Sequence, residues 1–201
     1  MIRHIVTAIL YTVVSTILFG LVYPFTVTVA AQILFKDKAN GQLIYSRSGS
    51  QHGKSILIGS RLIGQPFTGP AYFHSRPSAA GNGYDAANSG GSNYGPTSKK
   101  LVDRIEGDVA ANQLDHPNTD VPVDLVTGSA SGLDPDITPA AAEFQVMRIA
   151  HQRHLSEHTV RQLVAQHTQG RQLGFLGEPR VNVLELNLDL DRTAALTPKH
   201  P

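Results

Sequence analysis

The stretch IVTAILYTVVSTILFGLVYPFTVTVAAQILF, residues 5–35, carries no charged side chain. A hydrocarbon core of ~30 Å is crossed by roughly 20 apolar helical residues. This run exceeds that, so it can span with tilt and reach into the interface. Lipid offers no hydrogen-bond partner to the backbone, so the segment must be helical. A cleavable signal peptide is the competing reading. Its apolar core is typically ~7–15 residues, about half of what stands here. The faint cleavage-like Thr28-Val29-Ala30-Ala31 lies late in the run. The expectation is an uncleaved anchor: a short tail over 1–4, a transmembrane helix over 5–35, and a soluble domain over 36–201.

Within the anchor, Pro24 lacks a backbone donor and crowds the carbonyl of Gly20, which predicts a kink or local unwinding. Gly20, Thr12, Ser15 and Thr16 are small or hydroxylated and suit close approach by a second helix. The blander reading is that these residues face lipid and their hydroxyls bond within the helix. Arg3 and the amino terminus precede the helix, and Lys36 and Lys38 follow it. The flanking charges are nearly balanced; the basic amino-terminal tail places the N-terminus in the cytoplasm and the folded part outside.

Composition excludes several classes of function. A net charge of +1 over 201 residues gives no field that would gather nucleic acid. The chain has no cysteine, so disulfides, thiolate metal sites and a cysteine nucleophile are all ruled out.

Beyond the anchor, Leu43–Tyr45 and Ile56–Gly59 read as short strands. Residues 64–98 are rich in glycine, proline, asparagine and serine, which predicts irregular backbone. Phe67, Tyr72, Phe73 and Tyr84 can pin that segment to a core. A helix is expected over 98–112 with Thr97 as its cap and Leu101, Val102, Ile105 and Val109 on one face. Thr138-Pro139 marks another helix start. Ser156 caps a further helix that Gly170 suits as a terminator. In VNVLELNLDLD, residues 181–191, leucines alternate with polar residues, which reads as a final half-buried strand. The whole is an α+β domain tethered by one N-terminal transmembrane helix.

Four groups of residues invite a chemical reading. Ser89-Gly90-Gly91-Ser92-Asn93 can form an anion-binding nest or, more commonly, a tight turn. His151, His154 and His158 sit close in sequence, but Ser156 breaks the helix between them, and no H-E-x-x-H pattern completes a metal site. Ser129, Ser131 and Asp134 lack the G-x-S-x-G elbow of a hydrolase and fit a capped loop. Gln145 and Arg148, three apart on one helix, can hold an anionic or amide-bearing ligand, or form an ordinary polar face.

Several long motifs then occur in order. They are Val22-Tyr23-Pro24 in the anchor, GSRLIGQPF (59–67), YFHSRPSA (72–79), YDAANSGGSNYGPT (84–97), VPVDLVTGSASGLDPDITPAAA (121–142), FQVMRIA (144–150) and GEPRVNVLELNLDLD (177–191). Together they resemble the C-subunit family of the Kdp-type high-affinity potassium-transporting P-type ATPases, over nearly the whole chain. Met147 stands where that family commonly has proline, and Tyr94 replaces a frequent leucine.

The resemblance implies a non-catalytic accessory subunit in the bacterial inner membrane. Its partners would be a channel-like potassium-binding subunit, the P-type ATPase catalytic subunit, a small single-helix subunit and the lipid bilayer. It implies a need for the chain in assembly, and a catalytic-chaperone role that raises the ATP affinity of the ATPase subunit. Gln145, with Arg148 beside it, would be the nucleotide-related pair. Gly20, Tyr23 and Pro24 would pack in the membrane, and Ser89–Asn93 would meet a partner. No D-K-T-G-type phosphorylation motif is present, so ATP and potassium would be handled by the complex, with no cofactor or metal held firmly by this chain. An external folded domain cannot touch cytoplasmic ATP, so its effect would pass through the membrane parts. The alternative is a stand-alone, membrane-tethered periplasmic enzyme or ligand-binding module.

Overall fold

The computed structural model describes residues 1–46 and 55–196. The expected soluble region 36–201 also takes in 47–54 and 197–201, which lie outside the described residues. The chain divides into two compact units, Met1–Ile44 and Tyr45–Pro201.

The first unit is built on a continuous helical run, Ile2–Leu34, of 33 residues, long and apolar enough to cross a membrane. It comprises α1 (Ile2–Ile17), one π-helical turn (Leu18–Val22) and α2 (Tyr23–Leu34). The π turn accommodates Pro24. Just before the proline, the amide of Tyr23 bonds Leu18 O, five residues back, while Val22 and Tyr23 keep helical torsions. The expected local unwinding therefore takes the form of one wide turn. Thr7, Thr12 and Thr26 donate their hydroxyls to the carbonyls four residues earlier at 2.8–2.9 Å. This is the intrahelical alternative for Thr12. The helix ends at Phe35 (φ −138°, ψ 43°), and a short turn of helix, α3 (Lys36–Ala39), follows. Gln32 and Asn40 exchange amide hydrogen bonds at 3.1 and 3.3 Å, which fixes that turn.

The predicted strands appear as β1 (Leu43–Ser46) and β2 (Ile56–Ser60), paired in a two-stranded sheet. Next come α4 (Lys99–Gln113), β3 (Asp136–Ile137), α5 (Pro139–Arg153), α6 (Glu157–His167), β4 (Thr168–Gln169), β5 (Arg180–Asn182) and α7 (Val183–Leu196). A small antiparallel sheet has the order β3-β5-β4, with Ile137 opposite Val181 and Thr168 opposite Val181. Helices α5, α6 and α7 pack with it around a core that includes Phe73, Val146, Ile149, Val160, Val181 and Leu186.

The helix starts follow the sequence signals. Thr138 accepts from Ala141 N at 3.2 Å and Ser156 from Thr159 N at 3.1 Å. Between these helices, His154 adopts left-handed torsions (φ 55°), which ends α5. Helix α4 begins one residue later than expected, after Ser98, with no side-chain cap. Helix α6 ends at Thr168 rather than at Gly170. Val123–Leu125 is a 3-10 turn.

The final element corrects the reading of 181–191. Only Arg180–Asn182 is strand, and Val183 onward is helix. Val183, Leu186, Asn187 and Leu190 are all buried, and their spacing of i, i+3, i+4, i+7 is helical. Asn187 concealed the pattern: as an asparagine it looks solvent-facing, yet it is 1 % exposed. A start signal was also present. Asn182 accepts from Glu185 N at 3.1 Å, and Asn-x-x-Glu before an apolar run is a capping-box pattern.

Candidate functional site

Residues 70–74 belong to no helix or strand, and apart from the turn bond of Tyr72 N to Gly69 O their backbone groups must find partners elsewhere. Helices α5 and α7 supply them. Arg148 donates to the carbonyls of Pro70 and, at 3.1 Å, of Tyr72. Arg153 donates to Ala71 O at 2.6 Å. Asn187 donates to Phe73 O at 3.0 Å, and Gln145 to His74 O at 3.1 Å. Every carbonyl from residue 70 to 74 thus accepts from a side chain. Two amides are held as well: Phe73 N donates to Asn187 Oδ1 at 2.9 Å and His74 N to Gln145 Oε1 at 2.7 Å. The result is a strap bound along two helices, with Phe73 driven fully into the core.

This geometry defines the surroundings of Gln145 and Arg148. Gln145 is 3 % exposed. Its oxygen accepts from His74 N and from Arg148 at 2.8 Å, and its nitrogen donates to His74 O and to Ala141 O at 3.2 Å. A primary carboxamide has two donors and two acceptor sites, so all four are occupied. The Arg148 side chain is 11 % exposed, with Asp115 as its nearest carboxylate at 3.5 Å. Burial pushes its guanidinium below the ordinary value, and Asp115 pulls the other way. Sequence spacing brought these two residues together correctly but gave no hint of the strap. Arg153 and Asn187 went unnoticed. Arg153 pairs with Asp191 at 2.7 Å and lies over the Tyr72 ring at 4.6 Å.

A cavity of about 280 Å³ opens between the end of α4, the strap and α5, lined by His74, Asn112, Asp115, His116, Phe144 and Arg148 among others. His74 Nε2–H donates to Gly69 O, 3.0 Å away. Burial, the largest influence, pushes its imidazole below the ordinary value, the Gly69 carbonyl opposes this, and Arg148 adds to it.

The other sequence candidates fall elsewhere. The Ser89–Asn93 loop packs against 129–132: Gly90 N and Ser89 Oγ both donate to Ser131 O at 2.9 Å. A Cβ on Gly91 would stand 3.0 Å from Ala130 O, so a side chain there would push the two loops apart by a few tenths of an ångström. Asp134 pairs with Arg76 at 3.0 Å and accepts from Asp136 N at 3.1 Å. His151 is on α5, His154 at its left-handed end and His158 on α6. In the first unit, Gly20 lies within the wide helical turn and Pro24 just after it. Tyr23 is exposed, and a Cβ on Gly20 would meet only Thr16 Cγ2, at 3.8 Å.

Comparison with known proteins adds the family. Residues 5–192 match the family described as KdpC, the K+-transporting ATPase c chain. Three relatives carry the name potassium-transporting ATPase KdpC subunit. The protein from Koribacter versatilis is 64% identical, with 98% of this chain and 99% of that protein covered. Those from Acidobacterium capsulatum and Bradyrhizobium diazoefficiens are 57% and 53% identical, covering 94% and 97% of this chain and 98% and 100% of theirs. A match this long, running from the apolar helix into α7, means that the chain belongs to the KdpC family of potassium-transporting ATPase c chains.

Proposed function

We propose that the chain is a non-catalytic, membrane-anchored subunit of a potassium-transporting ATPase, needed to assemble it. The observation that carries this reading is the helix Ile2–Leu34. Its large apolar side chains are exposed along its length, and such a surface is stable only in lipid or against other apolar helices. The wide turn that contains Gly20, with Tyr23 and Pro24 directly after it, is the place for close helix packing in the membrane. The Ser89–Asn93 loop, held rigid against 129–132, is the contact offered to a partner by the folded unit. The folded unit lies outside the cytoplasm of a bacterial inner membrane, as the basic tail before the helix directs.

The catalytic-chaperone role, a raised ATP affinity of the catalytic subunit, is exerted through protein contacts. Gln145 and Arg148 serve it by holding the strap rather than by touching nucleotide. The support is the complete occupation of the Gln145 carboxamide: a nucleotide would have to displace one of its four bonds, to His74, Arg148 or Ala141, leaving a group unpaired at about 1–3 kcal/mol. A free-standing enzyme or ligand-binding module gains no support from relatives that are named as ATPase subunits.

The test is purification of the tagged chain in mild detergent from cells that also express the other ATPase subunits. The other ATPase subunits are expected to emerge with it in fixed ratio, and the apparent KM for ATP to rise when strap contacts are broken. A chain that emerges alone would contradict the reading.

A further inference from the structure

We propose that a second cavity, bounded by the turn at 123–125, β3, the start of α5 and the chain leading into β5, binds one organic cation head, an alkylammonium or a guanidinium. Its volume is about 270 Å³, and four carboxylates and two guanidinium groups line it. Three of the carboxylates have an arginine. Asp134 pairs with Arg76 at 3.0 Å, Asp136 with Arg180 at 3.1 Å and Glu178 with Arg171 at 2.6 Å. Asp124 has no cationic partner among the described residues, although it is the most buried of the four at 7 % exposed. Thr138 N, at the start of α5, donates to its Oδ2 at 2.7 Å. Its Oδ1 accepts from no described residue and yet is not sealed from solvent; it opens into the cavity that Asp124 lines. Arg76 is not free to swing across, since it also donates to Thr127 O and Oγ1 at 3.2 and 3.3 Å. A buried carboxylate with an unfilled oxygen and no counter-charge is unfavourable until a cation meets it.

Size and donors set the class of ligand. About 270 Å³ falls at the lower edge of the roughly 300–1,000 Å³ of sites for drug-sized molecules, so it suits one head group. Three of the carboxylates are spent on arginines, and no cluster of three histidine or acidic side chains among the described residues is placed to hold a metal ion. An ammonium or guanidinium needs only one carboxylate, and it brings the N–H donor that Oδ1 lacks, at the ~2.7–2.9 Å of a charge-assisted bond. The head comes from a free amine or guanidine, or from a lysine or arginine side chain of a partner subunit. Binding of the head itself uses only the folded unit and is independent of the subunit reading.

The experiment titrates the full chain in detergent with methylguanidinium chloride at constant ionic strength, following the Thr138 amide by NMR because that N–H bonds Asp124 directly. Methylurea, a neutral molecule of the same shape, is the control. Methylguanidinium is expected to shift the Thr138 signal saturably, and methylurea to leave it unmoved. Asp124→Asn keeps an oxygen for Thr138 N and should weaken binding about tenfold or more. Glu178→Lys, at a side chain 71 % exposed, puts a competing ammonium on the rim and should weaken binding several-fold; that arm decides even if Asp124→Asn fails to fold. The source follows from co-purification. Recovery of partner subunits that falls with Asp124→Asn assigns the head to a partner's side chain, and unchanged recovery assigns it to a free amine or guanidine. The absence of a saturable shift, an equal response to methylurea, or undiminished binding by either variant would overturn the proposal.

Discussion

Gln145 on α5 and Asn187 on α7 clasp adjacent residues of the same strap, each carboxamide accepting from the N–H and donating to the C=O of its residue. Gln145 holds His74 at 2.7 and 3.1 Å, and Asn187 holds Phe73 at 2.9 and 3.0 Å. The side-chain amides mimic what a neighbouring β-strand would supply to an irregular segment. The two helices are thereby tied through the strap as well as through the core.

Truncating either clasp strands a buried backbone pair. Gln145→Ala and Asn187→Ala should each destabilise the folded unit by about 1–3 kcal/mol. Their effects should be non-additive, since both act on one segment. Thermal unfolding of the full chain, single and double variants together, checks this. A Gln145→Ala chain with unchanged melting behaviour would show that the strap does not depend on it.

The helical register of α7 makes unequal demands on its leucines. Leu186 is fully buried and Leu188 only partly. Leu186→Ala should cost about 2–5 kcal/mol and Leu188→Ala clearly less. A strand with alternating faces would make the two substitutions equivalent, so denaturant unfolding of the pair separates the two structures.

Gly20 offers a test of packing in the membrane. A Cβ there meets only Thr16 Cγ2 at 3.8 Å, so the helix itself tolerates Gly20→Leu. Insertion and yield of the chain should stay the same while recovery of partner subunits falls on co-purification. Equal recovery would place Gly20 against lipid.

His74 gives the folded unit a pH dependence. Burial lowers its folded pKa below the usual value of about 6.5. The unfolded chain therefore binds the proton first, and stability attributable to this group falls as pH drops from about 7 towards 5. His74→Gln should flatten that part of the curve. Comparing unfolding midpoints of the two chains across this range, with the other histidines common to both, isolates the effect.

The sequence disclosed those parts of the fold whose signals are local. A charge-free run, hydroxyl caps at Thr138 and Ser156, and proline at position 139 each act within one turn of chain, and each appeared where expected. The strap was illegible because its bonds join residues 70–74 to residues 145–187, with no periodicity to announce them. The α7 error has the same root. The helical stripe Val183, Leu186, Asn187, Leu190 is completed by an asparagine, and an asparagine marks a buried position only when its long-range partner, here Phe73, is known. Gln145 and Arg148 were located correctly as neighbours. Their role depended on the same distant backbone and could not be read from spacing.

The claim on which the account rests is an anchored chain whose folded unit lies outside the cytoplasm. The native chain has no cysteine, so single cysteines can report on it without background. Asp120→Cys, at an exposed loop position, should react with a membrane-impermeant maleimide in intact spheroplasts carrying the assembled complex, while His4→Cys should react only after permeabilisation. Labelling of His4→Cys in intact spheroplasts, with Asp120→Cys protected until lysis, would contradict it.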